Sequence, residues 1–229
     1  MKELANGWVK YWEDRTKNSG DYYGKSGRNS NGLIEILGIK RKDVVLDIGC
    51  ANGAHLTDIT NKTGAKCFGI DISPIAVKLN KDKRLKLNVA DMEKTGYPKN
   101  KFTKVFTLGV FEHTPRSLGV FKELNRIMKI GGLAYVSVPN KLSLFHITKN
   151  IKMRLGTWDL GYEKSFTIWE LRKISEKAGF KLEKVWLAPH GQISNIFNLI
   201  DNLLNKLNSR YFGFFNHIVI RKVKNLDGI

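Results

Sequence analysis

Apolar and polar positions along the chain follow two alternating patterns. Short runs rich in β-branched residues are typical of buried strands, and apolar residues at every third or fourth position are typical of helices. Strands that alternate with helices at this spacing predict one α/β domain, with a mostly parallel sheet and helices on both faces. The runs that we interpret as strands are residues 43–48, 67–70, 85–89, 104–108, 133–138, 182–187 and 217–222.

Residues that start or stop helices lie between these runs. A hydroxyl residue followed by proline, at 73–74 and again at 114–115, predicts an N-cap with proline in the first helical position. We expect the second of these helices to run to the glycine pair at 131–132. Thr167 and Glu170 have the spacing of a capping box. Helices that should end at a glycine are residues 55–62, before Gly64, and the helix opened by Thr167, before Gly179.

Three segments fall outside this rhythm. Residues 1–31 are polar and contain several glycines, and residues 140–165 form a long insertion rich in apolar side chains. Residues 192–209 carry apolar positions at helical spacing, and aromatic residues follow as far as 215. The segment 192–215 either covers the sheet or faces a membrane or an apolar partner. We therefore expect a single domain over residues 1–229 with three elaborations.

The first predicted strand leads into a loop with two glycines, Gly49 and Gly53, just after Asp47. In parallel sheets, ligands bind at the carboxyl ends of the strands, and glycine lets the backbone approach them closely. Asp47 could hold an ammonium group, whereas it would repel the pyrophosphate of a dinucleotide. The loop therefore favours a cationic ligand.

Two more carboxylates end the next two predicted strands. Asp71 could accept hydrogen bonds from both hydroxyls of a ribose. Asp91 could accept one from an adenine amino group, and Met92 could pack on the ring. An ammonium group, a ribose and an adenine occur together in S-adenosylmethionine.

Four segments, at 47–53, 69–73, 91–92 and 109–113, resemble the successive motifs of class I S-adenosylmethionine-dependent methyltransferases. The resemblance covers roughly residues 31–187 and is greatest to the small-molecule group that includes the ubiquinone-biosynthesis O-methyltransferases. Two positions depart from the family pattern. Ala51 stands where the family has the middle glycine, and Thr103 stands where it usually has an aspartate.

The resemblance implies a Rossmann-like seven-stranded sheet with an antiparallel last strand, and S-adenosylmethionine as cofactor. It also implies that residues 1–31 and 140–165 cover the cofactor and build the acceptor pocket, the first segment as a lid. The glycines Gly20, Gly24 and Gly27 predict that this lid is mobile until the cofactor binds. Within the lid, Tyr11 and Arg15 are either the residues that close over the cofactor or ordinary surface residues. The expected cofactor-binding residues are Asp47, Gly49, Cys50, Ala51, Gly53, Asp71, Ile72, Asp91, Met92, Leu108, Tyr11 and Arg15.

The segment after the fourth predicted strand contains the candidate catalytic residues. His113 could take a proton from an acceptor hydroxyl, because its ordinary pKa is close to neutral pH, and Glu112 could orient it. The alternative is that both residues only stabilise the following helix. No cluster of side chains suggests a metal site, so we expect none.

The net charge of +18 attracts anions, which include nucleic acids, acidic lipids and phosphorylated metabolites. It could equally reflect a lysine-rich surface. Two cysteines, with no apolar segment long enough to span a membrane and no signal-like start, favour a cytoplasmic protein that touches an anionic membrane at most peripherally. The oligomeric state is left open.

The expected function is methyl transfer, preferably to oxygen, on a small or lipid-like acceptor. A tRNA or RNA methyltransferase is the main alternative, because of the charge, but no aromatic platform for nucleic acid accompanies the lysines. A non-catalytic S-adenosylmethionine-binding module is a further one. A nicotinamide-dependent dehydrogenase is disfavoured, because Gly49 and Gly53 do not form the Gly-x-Gly-x-x-Gly pattern.

Overall fold

The strands of the computed structural model, which describes Asp14 and residues 30–158, 162–189, 196–209 and 211–226, form one sheet in the order β3-β2-β1-β4-β5-β7-β6. Strands β1 to β5 pair in parallel, and β7 lies antiparallel between β5 and β6. The predicted Rossmann-like sheet with an antiparallel last strand is thereby confirmed. The strands are β1 Val44–Ile48, β2 Lys66–Asp71, β3 Lys86–Val89, β4 Phe102–Leu108, β5 Met128–Pro139, β6 Phe180–Ala188 and β7 Phe215–Lys222.

Seven α-helices are present among the described residues. Their caps confirm several of the predicted boundaries. The Ser73 hydroxyl accepts a hydrogen bond from the Ala76 amide, and Thr167 and Glu170 form the complete capping box. Gly64 ends its helix in the left-handed conformation. The helices are α1 Asn31–Leu37, α2 Ala54–Thr63, α3 Pro74–Lys78, α4 Ser117–Ile127, α5 Leu144–Arg154, α6 Ile168–Lys177 and α7 Ile196–Leu207.

One helix prediction was wrong at both ends. The Thr114 hydroxyl donates to Glu93 Oε1 over 2.6 Å and accepts from the Arg116 amide, so it forms a turn and α4 begins only at Ser117. At the other end, α4 stops at Ile127, and β5 starts at once, before the glycine pair at 131–132. The threonine–proline pair predicted an N-cap, but the Thr114 hydroxyl bonds to Glu93, 21 residues earlier, instead of capping a helix.

The two faces of the sheet are covered by different helices. Leu46 and Ile48 on β1 belong to the cluster formed with α4 and α6, whereas Val45 belongs to the cluster formed with α1 and α2. Because side chains alternate along a strand, Asp47 lies on the face of Val45. The order of the sheet reverses at β1, which lies between β2 and β4, and a crevice at the carboxyl ends of the strands is the usual ligand site at such a point.

Helices α5 and α7 are tied together by a buried carboxylate. Asp201 on α7 accepts hydrogen bonds from the Ser143 hydroxyl over 2.6 Å and from the Leu144 amide over 2.8 Å. These groups are at the start of α5, where unpaired amides and the helix dipole favour a negative charge. The insertion at 140–165 therefore contains a helix that the C-terminal segment caps.

We predict that Asp201→Ala lowers the free energy of unfolding by about 2–3 kcal/mol, because a buried charged acceptor is lost and the first amides of α5 lose their partner. Urea unfolding at neutral pH measures the change. Glu183→Ala, which removes a carboxylate exposed on β6, is the control and should have little effect. Equal stability of the two variants would contradict the prediction.

The proposed lid lies outside the described residues, apart from Asp14 and residues 30–31. The same is true of residues 192–195 and 210 in the C-terminal segment. Within the described ranges, no helix has the length and apolar character needed to cross a bilayer.

Candidate functional site

Asp47 and Asp71 lie near the carboxyl edge of the sheet on neighbouring strands. In the register of β1 and β2, Asp47 pairs with Gly69, so Asp71 lies two residues further toward the edge on the same face. Asp47 is buried, with 4% of its surface exposed, whereas Asp71 is partly exposed. One carboxylate therefore lies under the loop after β1 and the other lies at its rim.

The loop after β1 is held by hydrogen bonds to β2. The amides of Gly49 and Cys50 both donate to the Ile70 carbonyl, over 2.8 and 3.0 Å. Gly49 has φ 81°, and a Cβ there would lie 2.2 Å from Cγ2 of Val110. Position 49 therefore needs a glycine because the segment after β4 packs directly against this loop. This requirement holds whether or not a ligand is bound.

Asp71 is part of the loop as well as a candidate ligand. Its Oδ2 accepts from the Ala51 amide over 2.8 Å, and its Oδ1 accepts from the Ser73 amide over 2.9 Å. Burial raises the pKa of Asp71, and these two amides oppose that effect. Each carboxylate oxygen has a second lone pair, so a partly exposed Asp71 can still accept from two ribose hydroxyls.

Ala51 has φ 49°, in the left-handed region that glycine adopts freely. The structure explains in this way why the family has a glycine at this position. Alanine is small enough to adopt the same conformation at a cost of about 1–2 kcal/mol.

The remaining predicted cofactor residues occupy different environments. Cys50 is buried against Gly69, and burial together with the charge of Asp47 raises the pKa of its thiol far above the ordinary value. Asp91 is exposed, and its Oδ1 accepts from the Glu93 amide. Met92 is partly buried against the core on the α4 side. Ile72 and Leu108 are partly exposed, Gly53 is buried at the start of α2, and Tyr11 and Arg15 lie outside the described residues.

Glu112 and His113 lie in a 3-10 turn, Phe111–His113, just beyond β4. Glu112 is 4% exposed, and its Oε2 has no hydrogen-bond partner. Burial raises the pKa of Glu112 to about 8, and the charge of Glu163 adds to the increase. Glu112 is therefore protonated at neutral pH, and its carboxyl lies next to Gly109 at the end of β4.

The contact that orients His113 is a backbone carbonyl. Its Nδ1 lies 3.3 Å from the carbonyl oxygen of Tyr162, a contact that requires the proton on Nδ1. Burial lowers the pKa of His113, and the carbonyls of Tyr162 and Gly109 oppose the decrease. The imidazole is therefore largely neutral at pH 7.

A buried ion pair lies behind this turn. Lys149 on α5 is 1% exposed, and its Nζ lies 2.6 Å from Oε1 of Glu163. The Lys164 amide donates to the Glu112 carbonyl over 2.9 Å, which brings the end of the 140–165 insertion against the turn. Sequence reasoning missed both members of the pair, because a lysine in a lysine-rich segment gives no signal of burial.

Two further polar atoms in the insertion are buried without a hydrogen-bond partner, namely Nε1 of Trp158 and Oγ of Ser165. Like Oε2 of Glu112, they are buried hydrogen-bonding groups without a protein partner. Such groups need a partner such as an ordered water or a ligand.

Comparison with known proteins gives one matching family model, described as a methyltransferase domain, over residues 24–185. A sterol 24-C-methyltransferase of Gibberella zeae is 32% identical over 124 residues, which is 48% of this chain and 33% of that protein. The chain spans about a third of the length of the curated relatives it matches.

Solved structures share the fold at low sequence identity. A putative methyltransferase in a complex with the Trm112 methyltransferase activator of Haloferax volcanii superposes with a TM-score of 0.70 at 17% identity, over 95% of this chain and 96% of that one. A structure described as an S-adenosylmethionine-dependent methyltransferase of Archaeoglobus fulgidus gives a TM-score of 0.65 at 21% identity, over 93% and 99% of the two chains.

Proposed function

The chain belongs to the methyltransferase-domain family, and we propose that it transfers a methyl group from S-adenosylmethionine to a small, lipid-like acceptor. The observation that carries the proposal is the set of carboxylates at the carboxyl ends of adjacent strands, Asp47, Asp71 and Asp91. The polar turn with Glu112 and His113 follows β4, the strand on the other side of β1. When bound, S-adenosylmethionine supplies a methyl group on a sulfonium, which is a good leaving group.

The residues around the loop after β1 suit this cofactor. We assign Asp71 to the ribose, because its carboxylate is partly exposed and each oxygen has a lone pair beyond those used by the Ala51 and Ser73 amides. Asp47 contributes negative charge on the ammonium side. Asp91, exposed after β3, is assigned to the adenine amino group. The packed loop fixes these positions before the cofactor arrives, which reduces the ordering cost of binding.

We assign the proton transfer to His113. A neutral imidazole accepts a proton from an acceptor hydroxyl, and the Tyr162 carbonyl holds the ring in one orientation. Glu112, protonated at neutral pH, is a hydrogen-bond donor to the acceptor rather than the partner of His113. Positioning of the acceptor oxygen in line with the methyl group is the main task of the protein, and such positioning is worth several kcal/mol.

Because burial lowers the pKa of His113, we predict that the transfer rate stays constant around neutral pH and falls only in acid, below the ordinary pKa of a histidine. His113→Gln should lower the rate by about 100-fold or more while S-adenosylhomocysteine binds as before. Rate–pH profiles with labelled cofactor and calorimetry measure the two effects. A rate that is unaffected by the substitution would remove His113 from the mechanism.

The lipid-like character of the acceptor rests on the relatives. The curated relatives are named sterol 24-C-methyltransferases. The proposal of oxygen as the methylated atom rests on His113 alone, and the names of these relatives make carbon the competing outcome.

The test is incubation of the protein with radiolabelled S-adenosylmethionine and, in parallel, a lipid extract, a polar metabolite extract and total tRNA. We expect label in the lipid extract, and mass spectrometry of the product then shows whether the new methyl is on oxygen or carbon. Label in one tRNA species at stoichiometric yield would replace the proposal with an RNA methyltransferase.

A further inference from the structure

Helices α5 and α7 each expose a stripe of apolar side chains. On α5 and its C-cap, Ile147, Ile151 and Leu155 repeat every four residues, so they lie on one side of the helix. On α7 the spacing of three and four residues does the same. The exposed residues of α7 are Ile196, Leu199, Leu203 and Leu207, with exposed fractions from 37% to 82%.

The two stripes belong to two helices that pack together. Asp201 holds the start of α5 through the bonds described above, and α5 and α7 are in contact. The opposite sides of the helices point inward, since His146, Lys149 and Asp201 are buried. We call the exposed apolar surface of the two helices the α5–α7 face.

Seven of the sixteen large apolar side chains that are exposed in the described part of the chain lie on this face. Single exposed apolar residues are normal on a protein surface, but a concentration of this kind marks an interaction site.

Charge distinguishes among the partners that this face could take. Lys152 and Arg154 on α5 and Lys206 on α7 are exposed beside the stripes. The only carboxylate in the sequence of either helix is Asp201, which is 1% exposed and occupied by the start of α5. Among their described residues, the two helices therefore present apolar and cationic groups to the outside and no exposed carboxylate.

We infer that the α5–α7 face docks on an anionic lipid bilayer. Apolar side chains flanked by Lys and Arg are the composition of interfacial helices, in which the apolar side enters the acyl boundary and the cations meet lipid phosphates. The net charge of +18 adds long-range attraction to the same surface. Contact is peripheral, because neither helix is long enough to cross the bilayer.

The position of the face relates it to the candidate site. The inner side of α5 carries Lys149, which pairs with Glu163. The neighbours of Glu163 in the sequence, Tyr162 and Lys164, contact His113 and Glu112. A bilayer on the outer side of α5 would thus lie across one helix from the acceptor region. The inference goes beyond the proposed function and does not depend on which molecule is methylated.

The test is co-sedimentation of the full chain with vesicles of phosphatidylcholine mixed with phosphatidylserine, compared with vesicles of phosphatidylcholine alone. We expect binding to the mixed vesicles that weakens as salt rises. A variant with Ile151→Ser, Leu203→Ser and Leu207→Ser should bind these vesicles at least about tenfold more weakly than the wild type. Arg154→Gln and Lys206→Gln should each lower the affinity for the mixed vesicles about fivefold, which is the contribution of one cation near an anionic surface.

The matched control replaces apolar residues of similar exposure elsewhere, with Ile130→Ser and Val185→Ser, and charges elsewhere, with Lys129→Gln and Lys184→Gln. These variants should bind vesicles as the wild type does. Thermal unfolding and S-adenosylhomocysteine affinity test whether each variant is folded.

Three results would overturn the inference. One is a wild type that ignores phosphatidylserine vesicles, and another is an equal loss of binding in the control variants. The third is a wild type that is a dimer in light scattering and does not bind vesicles, together with a triple serine variant that is a monomer. That result would assign the face to a second copy of the chain. Failure of methyl transfer to lipids leaves vesicle binding unaffected, so the two proposals fail separately.

Discussion

Replacing Asp71 with alanine is expected to weaken S-adenosylhomocysteine binding by about 10- to 150-fold, which corresponds to about 1.5–3 kcal/mol. The reason is the loss of charge-assisted hydrogen bonds between the Asp71 carboxylate and two ribose hydroxyls. Isothermal titration calorimetry of the purified protein measures the affinity. Asp71→Asn should lie between the wild type and the alanine variant, because an amide retains one acceptor oxygen.

Asp71 also holds the amides of Ala51 and Ser73, so loop damage must be separated from loss of the ligand. Asp82→Ala is the matched control. Asp82 also accepts a backbone amide within its own loop, from Arg84, but it lies between α3 and β3 and is not among the residues assigned to the cofactor. Asp82→Ala should bind S-adenosylhomocysteine normally. Unchanged affinity in both Asp71→Ala and Asp47→Ala would remove the cofactor assignment.

Glu112→Gln is expected to flatten the pH dependence of stability. In the unfolded chain Glu112 ionises near its ordinary pKa of 4.5, whereas in the folded protein burial raises the pKa to about 8. Between these values the folded state binds one more proton than the unfolded state. The wild type therefore loses about 1.4 kcal/mol of unfolding free energy for each pH unit of increase from this group, and the loss stops above about pH 8.

Glutamine has the shape of the protonated carboxyl and cannot ionise, so the variant should match the wild type near pH 5 and exceed its stability at pH 8. Urea unfolding at a series of pH values from 5 to 9 measures the difference. Parallel curves for the two proteins would show that Glu112 ionises normally, and its assignment as a neutral hydrogen-bond donor would fail with them.

Glu123→Gln is a control of opposite sign. Burial alone would raise the pKa of Glu123, but hydrogen bonds from Arg126 and Thr95 outweigh it and lower the pKa. A carboxyl with a lowered pKa contributes stability above its unfolded pKa and loses it as the pH falls. Glu123→Gln should therefore lower the free energy of unfolding at neutral pH. In acid, the free energies of unfolding of the variant and the wild type should become more similar.

Where a sequence signal is satisfied within a few residues, the prediction from sequence was accurate. Ser73 caps the amide three residues ahead, and Thr167 and Glu170 bond to each other across the same distance. The central strands β1, β2, β4 and β5 were found because a strand that is buried on both faces needs an apolar run. The carboxylates Asp47 and Asp71 could be located because parallel strands bring their carboxyl ends to one edge.

Where the partner is distant in the sequence, the prediction failed or was never made. Thr114 looked like an N-cap, but its hydroxyl bonds to Glu93, which approaches from the loop after β3. The orienting contact of His113 is the Tyr162 carbonyl, which no spacing rule connects to it.

Buried charges show the same division most clearly. Nothing in the sequence, which has 39 basic side chains, marks Lys149, Lys222 or Asp201 as buried, yet each is about 1% exposed. Lys222 donates to the carbonyls of Asn125 and Met128, which lie 97 and 94 residues away. The sequence by itself determined the order of the strands, five of the seven described helices and the carboxylates at the strand ends, because these follow from apolar spacing and short-range hydrogen bonds. Helices α1 and α5 were not predicted. Only the tertiary structure decided which charges are buried and what surrounds Glu112 and His113, because a charge can be buried only where distant segments of the chain supply its partners.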